Sequence, residues 1–151
     1  MLYMSYSDEL IEKIKEKYKD QITQEDALEI VRNIIKNFFK TMEKKLTREI
    51  KLSEGKIKFE YDDEGYIIVQ LSIADLNNKI HSISFVRLSD KINIIISNSQ
   101  ENPFDIISLE ESIQYNDNAN KYICKSKKYG NFSSDILDKY LELTFGEGIE
   151  R

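Results

Sequence analysis

At Ser53-Glu54-Gly55 the apolar period of the chain changes from about 3.6 residues to about 2, and this switch divides it into a helical part and a sheet part. Upstream, Ser7 is placed to cap a helix with Leu10, Ile11, Ile14 and Tyr18 at helical spacing and with Asp8 and Glu9 in its acid-favouring first turn. Gln21-Ile22 reads as a short break. Thr23 followed by Asp26 resembles a capping box, and a long helix is expected from about Gln24 to about Lys51. Its stripe is Leu28, Val31, Ile35, Phe38, Met42 and Leu46, with Ile34, Phe39 and Ile50 on the flank. A helix over that span is about 42 Å long, more than a small core needs, so it either kinks or sends one end out to a partner.

Downstream, Ile57, Phe59 and Tyr61 alternate with Lys and Glu as in a half-buried strand. Asp62-Asp63-Glu64-Gly65 reads as a hairpin loop, with Gly65 available for a positive φ. Tyr66 to Ala74 forms the next strand, with Ile67, Val69, Leu71 and Ile73 on one face. Asn77-Asn78 turns the chain into Ile80–Leu88, and Ser89-Asp90-Lys91 turns it again into Ile92–Ser97. Connections this short require antiparallel neighbours, because a parallel crossover needs a dozen residues or more.

From Asn98 to Ser112 two readings stand: a helix opened by Asn102-Pro103, or an edge strand over 104–109. Glu111–Asn116 and Lys121–Ser126 read as a second hairpin around Asp117-Asn118-Ala119-Asn120. Ser133 or Ser134 then caps a helix carrying Ile136, Leu137, Tyr140, Leu141 and Phe145, with Gly146 where a helix-ending glycine belongs. The expected fold is therefore α+β. It has two N-terminal helices (one long), an antiparallel β-meander of four to six strands, and a C-terminal helix packed on one face. A single domain over 1–151 follows, with a helical part at 1–52, the sheet at 55–127 and the closing helix at 133–146.

Composition narrows the function classes. With 151 residues and one cysteine, the chain has room for a core and cannot hold an internal disulfide. No apolar run approaches a membrane span, and Met-Leu-Tyr-Met-Ser lacks the features of a signal peptide, so a cytoplasmic protein is expected. Isoleucine (23), lysine (18) and asparagine (11) share A/T-rich codons, which fits an A/T-rich bacterium or its phage. Net charge is −5, and it is concentrated: residues 55–120 carry 11 acidic against 5 basic groups. This acidity, with only four arginines among 22 basic residues, argues against nucleic-acid readout. The one basic cluster with an aromatic is Lys125-Ser126-Lys127-Lys128-Tyr129.

Motifs for nucleotide cradles, nucleophile elbows and zinc proteases are absent, and one His with one Cys cannot build the common Cys/His zinc site. No metal and no cofactor is expected. His81 and Cys124 are the only catalytic candidates, as general base and thiolate nucleophile. Against that role, His81 has no orienting carboxylate in a recognisable pattern, and a lone strand cysteine is usually a small buried apolar residue. For partner binding, the candidates are the acidic turn Asp62, Asp63 and Glu64, and the tyrosines Tyr115, Tyr122 and Tyr129 around the second hairpin.

These observations lead to a non-enzymatic interaction module of inhibitor, immunity or adaptor type with a protein partner. Homo-oligomerisation through the long helix is a further arrangement. The alternatives are a small-molecule-binding or enzymatic α+β domain, and an acidic chaperone-like protein.

Overall fold

The computed structural model describes residues 5–62, 64–111 and 122–149. Three helices and seven strands follow in the order α1 (Tyr6–Lys45), α2 (Thr47–Leu52), β1 (Ile57–Glu60), β2 (Ile67–Ala74), β3 (Ile80–Arg87), β4 (Lys91–Ile96), β5 (Asp105–Glu111), β6 (Tyr122–Ser126), β7 (Gly130–Asn131) and α3 (Ser134–Ile149). The strands form one antiparallel sheet in which every strand pairs with its sequence neighbour, β1 to β7. This is the expected α+β meander, one strand longer than the range expected. The ambiguous stretch after Asn98 contains strand β5, which pairs with β6; residues 112–121, with Tyr115 and most of the expected second hairpin, lie outside the described residues, as does Asp63.

The helical part divides differently from expectation. Gln21-Ile22 is no break, and α1 runs unbroken for 40 residues. The Thr23 hydroxyl does not cap; it donates back to the Lys19 carbonyl at 2.9 Å, a bond that lets threonine sit inside a helix. With neither Gly nor Pro between residues 6 and 45, nothing local stops propagation. The cap is Ser5 rather than Ser7, its hydroxyl accepting the Asp8 N–H. The division between the two helices falls at Leu46 (φ −108°, ψ 16°).

Gly146 does not end α3, which continues to Ile149. A glycine inside a helix costs only about 1 kcal/mol. The left-handed conformation is instead used at Glu54 and Gly55 (φ 55° and 90°), where the helical part turns into β1. Gly65 does not take it.

Cross-strand register puts one set of side chains on the covered face: Phe59, Leu71, Ile83 and Ile96 in one row, Phe85, Ile94 and Asp105 in the next. A bulge between Ile67 and Val69 breaks the alternation at the start of β2, so Ile68 and Val69 are both buried and Ile67 leaves the core face. Leu28, Val31, Ile35 and Phe39 of α1 and Ile136, Leu137 and Tyr140 of α3 close over this face. The buried line on α1 thus centres on Phe39, fully buried against the Phe85 ring at 5.4 Å, and Phe38 sits on its flank. The opposite face of the sheet carries Lys58, Glu60, Ser108 and Glu110, all exposed.

Candidate functional site

α1 crosses the covered face obliquely. On the β6 side Cys124 points its thiol at the Ala27 carbonyl (3.7 Å) and the Tyr122 hydroxyl donates to Asp20 at 2.7 Å. On the β1 side Tyr61 donates to Glu43 at 3.1 Å under the Lys40 ammonium, which lies 4.0 Å from its ring. Burial and the neighbouring Glu43 push the Tyr61 phenol well above the usual tyrosine range. Near the middle, Arg87 of β3 meets Glu25 at 2.7 Å and donates to the Leu88 carbonyl, tying helix to sheet.

Beyond the β6 side none of the described residues of α1 is buried. From Tyr6 through Ile22 every residue is exposed, a stretch of about 25 Å. On it Leu10, Ile11, Ile14, Tyr18 and Ile22 are 42–54% exposed and Tyr6 is 73% exposed. Positions 10, 14, 18 and 22 recur every four residues, and Ile11 stands on the same side. The result is an apolar stripe on a helical arm.

Next to the base of the arm lies a cleft of about 440 Å³ between α1 and β6–β7. Val31, Cys124 and Phe132 form its floor, and Ile30 (54% exposed) and Ile34 (39%) its rim. Burial raises the Cys124 thiol above its ordinary pKa, which keeps it a protonated apolar group rather than a thiolate.

The catalytic candidates do not meet. His81 opens β3, while Cys124 is three strands away in β6. Three strand spacings and about eight residues of rise separate them, about 14 Å across the sheet and about 25 Å along it. His81 has a partner that sequence reasoning missed: its Nε2 lies 3.0 Å from Asp75 Oδ2, across the β2–β3 turn. The other Asp75 oxygen accepts the Asn77 and Lys79 N–H groups, and the bond to His81 holds the Asp75 carboxyl below the usual aspartate range. His81 Nδ1 is buried without a hydrogen-bond partner among the described residues.

The partner-binding candidates are likewise spread out. Glu64, in the β1–β2 turn, faces α1 across a cleft of about 450 Å³ that Glu25, Arg32 and Arg87 also line. Asp62 closes that turn by donating its N–H to the Ile67 carbonyl. Tyr122 and Tyr129 are at the far side of the sheet, both half-buried. The Tyr129 ring packs at a tilt against Tyr140, centroids 5.8 Å apart, beneath the Lys139 ammonium. The basic run is largely neutralised in place: Lys125 pairs with Glu110 at 3.0 Å and Lys128 with Glu101 at 2.9 Å. The Glu101 contact also raises the Lys128 pKa.

A second group that the sequence did not reveal is buried beneath α3. Asp105, 2% exposed, accepts the hydroxyls of Ser126 and Tyr140 on one oxygen, and the N–H groups of Ile106 (2.8 Å) and Lys128 (3.2 Å) on the other. Burial, then the bond to Asp105, raises the Tyr140 phenol far above its usual range. Four donors satisfy the carboxylate, which makes this cluster a clasp between β5, β6 and α3.

Among the described residues no group of His, Cys, Asp and Glu is arranged to hold a metal ion, and no helix is long and apolar enough to cross a membrane. Comparison with protein families, with curated proteins and with solved structures gave no match.

Proposed function

We propose that this chain is a non-enzymatic protein–protein interaction module of inhibitor, immunity or adaptor type, working in the cytoplasm of an A/T-rich bacterium or phage and engaging its protein partner through the first half of α1. One observation carries the reading: the exposed stripe Leu10, Ile11, Ile14, Tyr18 and Ile22 on an arm in which no described residue from Tyr6 to Ile22 is buried. Contiguous apolar surface of several hundred Å² on a soluble domain marks a contact site. An amphipathic helix with anchors at such spacing is a recurrent recognition element. Tyr122 at the base of the arm and the acidic turn at Asp62 and Glu64 are the secondary contacts of this reading.

Cysteine footprinting tests it. In a Cys124→Ser background, Leu10→Cys, Ile14→Cys and Tyr18→Cys report the stripe, and Glu12→Cys and Glu16→Cys the back of the same helix. Maleimide labelling in the native host should be at least about tenfold slower at the stripe than in dilute purified protein, with the back unchanged. Equal rates on the two faces would overturn the reading.

A small-molecule-binding domain is the second reading, favoured by the cleft between α1 and β6–β7, whose volume of about 440 Å³ suits a ligand. Native mass spectrometry of the protein from its host separates the two, since a bound small molecule on a bare chain favours the cleft.

A further inference from the structure

The three most exposed leucine and isoleucine side chains among the described residues are Leu76 (95%), Leu52 (79%) and Ile80 (62%), and all stand at one end of the sheet. Leu52 closes α2, and the turn after it leads into β1 through the bond from the Lys56 N–H to the Ser53 carbonyl. The Lys56 carbonyl accepts the Ala74 N–H at 2.9 Å, which sets that turn beside the β2–β3 turn carrying Leu76. Ala74 pairs with Ile80, so Lys56, Ala74 and Ile80 form a row about 10 Å wide on the uncovered face. The Asp75 carboxylate shapes the β2–β3 turn by accepting the Asn77 and Lys79 N–H groups, and Leu76 is held at its tip. A lone exposed leucine is ordinary, whereas three such side chains on two adjoining turns make a patch.

The charge around them has one sign. Residues 44–58 and 75–80 hold seven bases and three acids, net +4; the rest of the chain, with 15 bases and 24 acids, is net −9. Lys44 and Lys45 answer the carbonyl end of α1. Arg48 and Lys51 of α2, Lys56 and Lys58 at the start of β1, and Lys79 have no such duty. All five are exposed, and none has an ion-pair or hydrogen-bond partner for its side chain among the described residues. Elsewhere Arg32, Arg87, Lys125 and Lys128 each meet a carboxylate.

Unpaired cations beside protruding aliphatic side chains complement a surface that is anionic outside and apolar within. An anionic bilayer is such a surface, taking lysines at its phosphates and leucines at its acyl boundary. A nucleic-acid backbone would meet the cations but leave the leucines in water, and base stacking needs aromatic rings, which these two segments lack. The charge asymmetry of the chain turns this end toward the bilayer and the acidic remainder away from it.

We infer that this end of the domain docks on an anionic lipid surface, with Leu52, Leu76 and Ile80 entering the headgroup–acyl boundary and the five cations on the phosphates. The end of α1 lies about 45 Å along the helix from Ile14. The inference is therefore independent of the arm and leaves the stripe open to a protein.

The test is co-sedimentation of the purified full chain with vesicles of phosphatidylcholine alone or mixed equally with phosphatidylglycerol. Binding is expected only to the mixed vesicles, and it should weaken at least about tenfold between about 0.05 M and about 0.5 M salt. Lys51→Gln and Lys56→Gln should each weaken it about fivefold, and Leu52→Ser/Leu76→Ser at least about tenfold at unchanged charge. Because these side chains are exposed, the circular dichroism spectrum of each variant should match that of the wild type. Leu10→Ser/Ile14→Ser, on the arm, should bind the vesicles as the wild type does.

No binding to the mixed vesicles, or equal binding to both kinds, would overturn the inference. Loss of binding in the arm variant alone would overturn it too, by moving the lipid contact to the stripe, and would count against protein docking there. Retention by a DNA duplex that depends on the lysines but not on Leu52 and Leu76, with the vesicles ignored, would make this end a phosphate-backbone contact and overturn it while leaving the arm untouched.

Discussion

Replacing Asp105 with alanine removes the common acceptor of four donors from β5, β6, α3 and the β6–β7 turn: the Ser126 and Tyr140 hydroxyls and the Ile106 and Lys128 N–H groups. Both hydroxyls are buried, Tyr140 completely and Ser126 to 3% exposure, so water does not simply take the place of the carboxylate. A hydrogen bond to a charged acceptor contributes about 1.5–3 kcal/mol, and a buried donor left without a partner costs about 1–3 kcal/mol. These terms overlap and do not add. The scale for removing one member of a buried charged network, about 3–5 kcal/mol, is the working figure for Asp105→Ala. In a domain of this size that is a loss of roughly 10 °C or more in Tm.

Urea unfolding followed by far-UV circular dichroism measures it, with the m-value unchanged if the native fold persists. Tyr140→Phe keeps the ring against Phe85 and Phe104 and loses one donor, and should cost about 1.5–3 kcal/mol. The double variant decides the matter. Once Asp105 is gone the Tyr140 hydroxyl keeps only the neighbouring Ser126 hydroxyl as a partner, so deleting it should then cost much less than in the wild type, giving a coupling of about 1–3 kcal/mol. Additive losses, or an Asp105→Ala cost within about 0.5 kcal/mol, would refute the clasp.

Phe39→Ala should destabilise by about 3–5 kcal/mol, because it empties the centre of the helix–sheet contact, whereas Ile14→Ala should stay within about 0.5 kcal/mol in the monomer; equal costs in chemical unfolding would put the arm in the core. The Cys124 thiol, held protonated by burial and only 9% exposed on the floor of the cleft, should react with a disulfide reagent more slowly in the native protein than in denaturant; equal rates would contradict its placement. Asp75 has a depressed pKa in the folded state, so its stabilising share is complete above the ordinary aspartate value and is lost as pH falls through the lower folded value. The stability gap between wild type and Asp75→Asn should therefore be widest near neutrality and close below about pH 4, and a gap constant from pH 7 to pH 3 would dissociate Asp75 from the His81 contact.

Much of the fold was legible because both kinds of element write their burial into the chain as a period. The switch at Ser53-Glu54-Gly55 and the short turns between strands were enough to give helices followed by an antiparallel meander. Boundaries were lost where a residue has two roles. Thr23 can cap a helix or bond back inside one, and Gly146 can end a helix or be tolerated within it; tertiary context chose the second each time. The clasp was invisible for another reason: Asp105, Ser126 and Tyr140 come from three elements with 35 residues between first and last, and no local spacing links them. Asp75 and His81 lie six residues apart across a turn, so a hairpin reading that also paired side chains across it would have found them. The arm presents the converse case. Leu10 to Ile22 and Leu28 to Phe39 have the same periodicity, and periodicity shows that a face is apolar but not what covers it.

The most direct measurement of the docking arm is photo-cross-linking in the native host, with a photoreactive residue at Ile14 on the stripe or at Glu16 on the back of the same helix. A discrete polypeptide adduct is expected from position 14 and none from position 16. Adducts of equal yield from both positions, or from neither, would contradict it.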